Sequence, residues 1–265
     1  MTLHLVDRAE AYSDRTAIVV EEDTYTYSDL LRVSSIVATR LLFGRTNLNA
    51  SRICILVPPG WDYVVTLWGI WRAGGVAVPM AISHPAAELA HVIEDAEPEA
   101  IVAHPSLFDR INDLANEYGI PVLESSTLTQ EIPICGMPIV QEEGPSMILY
   151  TSGTTGRPKG VVLTHTNIRS QVESLTVAWG WDHDDHILLH LPLHHVHGIV
   201  NILLSALWNG GTCEIFSQFN PVKVWERLSR RDITLYMAVP TVYHRLIEAW
   251  KHANSATQTV WTSGA

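Results

Sequence analysis

Apolar positions along the chain fall into two alternating kinds of run. Short β-branched stretches bounded by turns predict strands at 16–20, 52–57, 100–103, 147–151, 186–191 and 234–239. Longer stretches with helical spacing predict helices at 28–42, 86–96, 107–118, 166–179, 221–230 and 241–250, after a first helix at the N-terminus. Residues 63–82 carry a single charge, Arg72, and approach the length of a membrane span, but Gly74-Gly75 and Pro79 divide them into a buried helix followed by a buried strand. The same order recurs at residues 199–216, where Asn209-Gly210-Gly211 separates an apolar helix from a β-prone stretch. The recurrence predicts two related α/β layers, and the alternation predicts a mainly parallel sheet covered on both faces. Ser28 is placed to cap the helix that follows it, with Asp29 in the first turn. Residues 123–145 have no clear period and read as a surface connection that divides two subdomains.

The composition narrows the class. Of 265 residues, 47% are hydrophobic and 17% charged, which excludes disordered and fibrous chains. The net charge of −11 argues against a nucleic-acid partner, because such a partner needs a basic face to displace its counterions. Cys54, Cys135 and Cys213 are an odd number at motif-free spacings, so neither a disulfide framework nor a zinc ribbon is expected. Asp7 and Glu10 fit neither a secretory signal nor a transit peptide. A cytoplasmic location is expected, with a mitochondrial one requiring a transit peptide that these residues lack.

The densest chemical signal is Tyr150-Thr-Ser-Gly-Thr-Thr-Gly-Arg-Pro-Lys-Gly160, directly after a predicted strand. Glycines let backbone N–H groups turn inward, four hydroxyls add donors, and Arg157 with Lys159 add positive charge, which together form a cradle for a polyphosphate. The spacing is not that of a Walker loop, since no Ser or Thr follows the lysine. The plainer alternative is an ordinary Ser/Thr/Gly surface loop. The string resembles the phosphate-binding motif of the adenylate-forming superfamily, which includes acyl-CoA synthetases, luciferases and adenylation domains of peptide synthetases. Asp14-Arg15-Thr16-Ala17-Ile18, Tyr25-Thr26-Tyr27-Ser28-Asp29-Leu30 and the stretch from Trp71 to Met80 are similar to the superfamily's earlier landmarks, in its order. The resemblance implies an α/β fold of stacked, mainly parallel sheets flanked by helices. It also implies an ATP-binding loop of Thr151, Ser152, Gly153, Thr154, Thr155, Gly156, Arg157, Pro158 and Lys159, with Lys159 catalytic, and ATP, Mg2+ and coenzyme A as co-substrates.

Six histidines fall between residues 183 and 197. No carboxylate lies within 187–198 and the segment around His186 and His190 reads as a strand, so no metal ligand is assigned. Leu191-Pro-Leu-His-His-Val-His-Gly198 resembles the superfamily's acyl-pocket landmark, which implies a substrate-lining role for His195, while His194 and His197 are expected to pack beneath the loop. Val239-Pro-Thr-Val-Tyr-His-Arg-Leu246 places Arg245 on a helix, where a buried guanidinium demands an anionic partner. This combination looks like the malonyl-CoA and methylmalonyl-CoA synthetase branch, which implies that Arg245, with His195 and Ser263, binds a small dicarboxylic acid. An exposed helix arginine is the plainer reading, and a ligase for another short-chain or fatty acid is the alternative function.

The chain ends at Thr262-Ser263-Gly264-Ala265, which is similar to the start of the strand before the superfamily's adenine site. The later adenine, ribose and hinge motifs and the C-terminal lysine-bearing domain have no counterpart in these residues. The expectation is therefore the N-terminal part, residues 1–265, of an AMP-binding domain with its sheet incomplete at the C-terminus, or an inactive remnant that binds nucleotide or acyl groups.

Overall fold

The computed structural model describes residues 3–151 and 157–262. Helix α1 (His4–Ala11) leads into a hairpin of β1 (Thr16–Val20) and β2 (Asp23–Thr26), then α2 (Tyr27–Leu42), β3 (Arg52–Leu56), α3 (Trp61–Arg72) and β4 (Val76–Pro79). There follow α4 (Ala86–Ala96), β5 (Ala100–Ala103), α5 (Phe108–Glu117), β6 (Val122–Glu124), α6 (Ser125–Leu128), β7 (Pro145–Thr151), β8 (Lys159–Thr164), α7 (His165–Trp179) and β9 (His186–Leu189). A π-helical segment, His197–Leu204, then runs into α8 (Ser205–Asn209), followed by β10 (Thr212–Ile215), α9 (Pro221–Leu228), β11 (Leu235–Tyr236), α10 (Pro240–His252) and α11 (Ser255–Thr262).

Two sheets result, with strand orders β11-β9-β10-β1-β2 and β6-β5-β3-β4-β7-β8. Each is parallel except for its last pair, β1/β2 and β7/β8. The segment after α6 connects strands β6 and β7 of the same sheet. Helix α2 packs on β1 and β2, α3 packs on β3 and β4, and the two helices pack on each other. At their contact a Cβ on Gly69 would lie 2.4 Å from Val37 Cγ1, so only glycine permits this approach. On β3, Ile53 and Ile55 join the main core with these helices, while Cys54 and Leu56 join a second core beneath α4 and α5. Burial of both faces is the reason the parallel strands read as continuous apolar runs.

Both Gly-Gly stops behave alike. Gly74 (φ 78°) and Gly210 (φ 79°) take the left-handed conformation at helix ends, and their chains turn directly into β4 and β10. Other expectations are corrected. The helix cap is Thr26, not Ser28: α2 begins at Tyr27, so Thr26 Oγ1 accepts from Asp29 N at 3.1 Å and Asp29 Oδ2 accepts from Thr26 N at 2.9 Å. The strand predicted at 234–239 shortens to two residues, because its neighbour β9 ends at Leu189 and Pro240 starts α10. Strand β2 went unpredicted because its hairpin turns at Glu21 (φ 54°), without the glycine or asparagine that usually marks such a turn. Strand β8 was hidden behind the polar loop preceding it.

Thr26→Ala should lower unfolding free energy by about 1 kcal/mol, whereas Ser28→Ala at the exposed first turn should change it little. Urea midpoints of the two variants check the assignment, and an equal loss in both would refute it.

Candidate functional site

A cavity of about 430 Å³ opens where the carboxyl ends of parallel strands from both sheets converge. Val57 and Pro59 follow β3, and Met80, Ile82 and Ser83 follow β4. From the other sheet, His190 to His194 follow β9 and Ser217 to Phe219 follow β10, while Val242 and Arg245 come from α10. This edge is where ligand sites form in open α/β sheets. The turn after β9 is fixed from two sides. Tyr63 Oη donates to the Leu193 carbonyl at 2.6 Å, and a Cβ on Gly198 would meet the Pro192 carbonyl oxygen at 2.6 Å, so the turn can fold back onto the π-helical segment only over glycine.

Strand β7 runs parallel to β4, pairing Met147 with Ala77, and so ends at Thr151 on this same edge. Strand β8 returns with Lys159 opposite Thr151. Ser152, Gly153, Thr154, Thr155 and Gly156 of the expected phosphate loop lie outside the described residues, while Thr151, Arg157 and Lys159 are exposed. The loop stem is braced by α4 through two residues the sequence reading missed. His91 Nε2 donates to the Pro158 carbonyl at 2.8 Å, and Asp95 accepts from Tyr150 Oη at 2.6 Å. Their signal was the four-residue spacing that puts both on one helix face. Burial, with Asp95 second, raises the Tyr150 hydroxyl's pKa, so it stays a donor. Asp95 is thereby engaged, and no other carboxylate among the described residues contacts Tyr150, Pro158 or Lys159.

On α10, Arg245 Cζ lies 4.7 Å from the Phe219 ring centroid, and no carboxylate among the described residues pairs with it. Arg245 is exposed rather than buried as expected, because the cavity it lines is open to solvent. The buried arginine is Arg227, whose Nε donates to Glu214 Oε1 and Oε2 at 2.7 and 2.8 Å and whose guanidinium also holds Asp232. It is structural, tying α9 to β10.

The histidines are arranged differently from expectation. His194, expected to pack beneath the loop, lines the cavity. His195 is exposed, lies outside the lining and packs its ring 4.1 Å from that of His194. The two lie in the turn after β9, where spacing alone does not decide which faces the cavity. His190 also lines the cavity, its Nε2 2.7 Å from Tyr236 Oη. Burial lowers the pKa of both His190 and His194 to about 4, with His195 and His84 adding repulsion at His194. The wall thus offers neutral imidazoles beside one permanent cation. Ser263 lies outside the described residues. The acidic turn at Asp182 to Asp184 is exposed and is held by Arg15, whose Nη2 is 2.8 Å from Asp184 Oδ1.

Residues 5–265 match the family of AMP-binding enzymes. The chain belongs to that family. Among curated AMP-binding relatives, it is 42% identical over 255 residues to the mitochondrial malonate-CoA ligase ACSF3 of Xenopus laevis, covering 91% of this chain and 44% of that protein. It is 34% identical over 280 residues to a malonate-CoA ligase of Arabidopsis thaliana, covering 92% and 46%. The chain therefore spans about half the length of the curated relatives it matches. Among solved structures, ATP-bound MatB from Rhodopseudomonas palustris superposes with a TM-score of 0.84 at 29% identity, over 94% of this chain and 51% of that one. The two mostly parallel sheets flanked by helices are the N-terminal fold of an adenylate-forming enzyme. No helix among the described residues is long and apolar enough to cross a membrane.

Buried neutral histidines make stability depend on pH. His165, at the start of α7, and His190 are both held at about 4 by burial, against an ordinary value of 6.5. Between these values the unfolded chain binds more protons, so their contribution is full above about pH 6.5 and falls as pH drops toward 4, by up to about 1.4 kcal/mol per pH unit for each group. Urea denaturation at pH 7, 6 and 5 should show this decline, and a flat profile would contradict neutral burial.

Proposed function

We propose that the protein containing this chain uses ATP to activate malonate or methylmalonate, through an acyl-adenylate, to its coenzyme A thioester. The observation that carries the reading is Arg245: the one cation that is charged at every working pH on the wall of a cavity otherwise lined by apolar groups, uncharged Ser83, Ser217 and Gln218, and neutral imidazoles, with no carboxylate partner among the described residues. A guanidinium offers a planar fork that a second carboxylate fills bidentately, while a fatty-acyl tail would leave it uncompensated. The 42% identity to a malonate-CoA ligase points the same way. The name of that relative also favours a mitochondrial location over a cytoplasmic one.

In this reading one carboxylate of the diacid binds Arg245, and its charge is balanced by that single cation. His194, neutral, donates a hydrogen bond without adding a second charge, His195 backs it with a ring 4.1 Å away, and Ser263 completes the acid site. The other carboxylate attacks the α-phosphorus of ATP, and pyrophosphate leaves. Thr151 through Lys159 hold the β- and γ-phosphates, with Arg157 and Lys159 neutralising charge as it develops on the leaving group. The thiolate of coenzyme A then attacks the acyl carbonyl and AMP departs. No side-chain nucleophile takes part, so positioning and electrostatics supply the rate.

Arg245→Ala in the full-length protein should raise the KM for malonate by roughly 10- to 100-fold, the worth of a charge-assisted bidentate pair, while the KM for ATP changes little. Lys159→Ala should instead lower malonate-dependent pyrophosphate release with an unaltered urea midpoint, since this lysine is exposed. Equal turnover of malonate and a long-chain fatty acid by the unmodified enzyme would refute the diacid assignment.

A further inference from the structure

Arg245 is fixed by very little in its own helix. The acidic residue one turn along α10, Glu248, is taken by Lys251 at 2.9 Å and His252 at 3.9 Å. A long side chain at an exposed helical position samples many rotamers, and ordering it for a bidentate pair carries an entropic cost. The contact that holds it in the cavity comes from a different element, the face of Phe219, with Cζ 4.7 Å from the ring centroid and well inside cation–π range.

Phe219 is itself rigidly placed. Phe216 N donates to the Leu189 carbonyl at 2.8 Å on one side. On the other, Asn220 caps α9, its Oδ1 accepting from Val222 N at 3.0 Å and Lys223 N at 3.2 Å. The Phe219 ring packs against the main core, with its centroid 4.9 Å from that of His190, and His190 is tied to Tyr236 Oη at 2.7 Å. A continuous file of rings thus runs from β11 to the guanidinium.

We propose that Phe219 is a positioning residue that sets the acid selectivity of the cavity by holding the Arg245 guanidinium on its ring face. This rests on the diacid reading of the site. The guanidinium carbon sits over the ring, and no acceptor among the described residues takes its N–H groups, which leaves them for a carboxylate fork. With the cation held there, an acid whose far end is methyl or alkyl meets an uncompensated charge. Without the ring, Arg245 is released toward solvent, the diacid loses its prepaid partner, and the cavity wall becomes more nearly apolar.

Isothermal calorimetry with malonate and ATP, and the Arg245 Nε–H proton observed by NMR, test this on the wild type and on Phe219→Leu, Phe219→Trp and Arg245→Ala. In the wild type the proton should be displaced upfield by the ring current. In Phe219→Leu it should return to the position of a free arginine, malonate affinity should fall about tenfold and ATP affinity should hold. Phe219→Trp, which keeps an aromatic face, should retain malonate affinity within about twofold. If Arg245→Ala weakens malonate binding while Phe219→Leu does not, or if the wild-type proton is undisplaced, the positioning role is overturned and the diacid reading survives. If Arg245→Ala leaves malonate binding unchanged, the diacid reading fails and the selectivity role fails with it, whatever the proton shows. Loss of both ligands in Phe219→Leu together with malonate loss in Phe219→Trp would mark the ring as structural and overturn the proposal.

Discussion

Everything at the site hangs on helix α3 being buried on all sides. Every residue from Tyr63 to Trp71 is shielded from water, and of the buried polar side-chain atoms in that span Thr66 Oγ1 and Trp68 Nε1 have no hydrogen-bond partner among the described residues. The two that are satisfied join the helix to distant elements: Tyr63 donates to Leu193 on the cavity turn, and Trp71 Nε1 donates to the Ser146 carbonyl on β7 at 2.7 Å. The helix therefore sets the height of the histidine-bearing turn and of the strand that leads into the proposed phosphate loop at the same time. A lost partner would leave a buried carbonyl unpaired, at about 1–3 kcal/mol, and would disconnect the two walls from a common reference.

Charge is used in two contrasting ways. The chain as a whole is acidic, and Arg227 and Arg169 are spent internally, on Glu214 and Asp232 and on Glu142 respectively. Arg157, Lys159 and Arg245 have no carboxylate partner among the described residues and stand on the edge where both sheets end. An anionic ligand at that edge meets local cations rather than a basic surface, which is consistent with binding a small polyanion while rejecting extended ones.

Much of this was legible in the residues. The buried parallel strands, the two glycine stops and the long helices were readable because hydrophobic period and chain punctuation are local properties, as at 63–82 and 199–216. The loop string after β7 was readable because few strings share its glycine, hydroxyl and cation pattern, though strand β8 beyond it was not. What escaped depended on neighbours distant in sequence. Nothing near Thr234 says that β9 stops at Leu189, nothing near Glu21 marks a hairpin, and whether His194 or His195 faces the cavity is decided by Tyr63 and Gly198 acting on the turn. The bracing of Pro158 and Tyr150 by His91 and Asp95 is likewise a tertiary contact between residues more than fifty positions apart.

The convergence of two sheets at one cavity separates what the two walls can vary. The cavity residues Phe219 and Arg245, proposed to face the acid, belong to the loop after β10 and to α10, while the strand pair β7/β8, proposed to face the nucleotide, belongs to the other sheet and is braced by α4. Under the proposed function, mutational drift in the first group can retune which acid is accepted without disturbing the strand pair assigned to ATP. A lineage built on this chassis could then, under the same proposal, diversify its substrates one wall at a time, with energy coupling inherited unchanged.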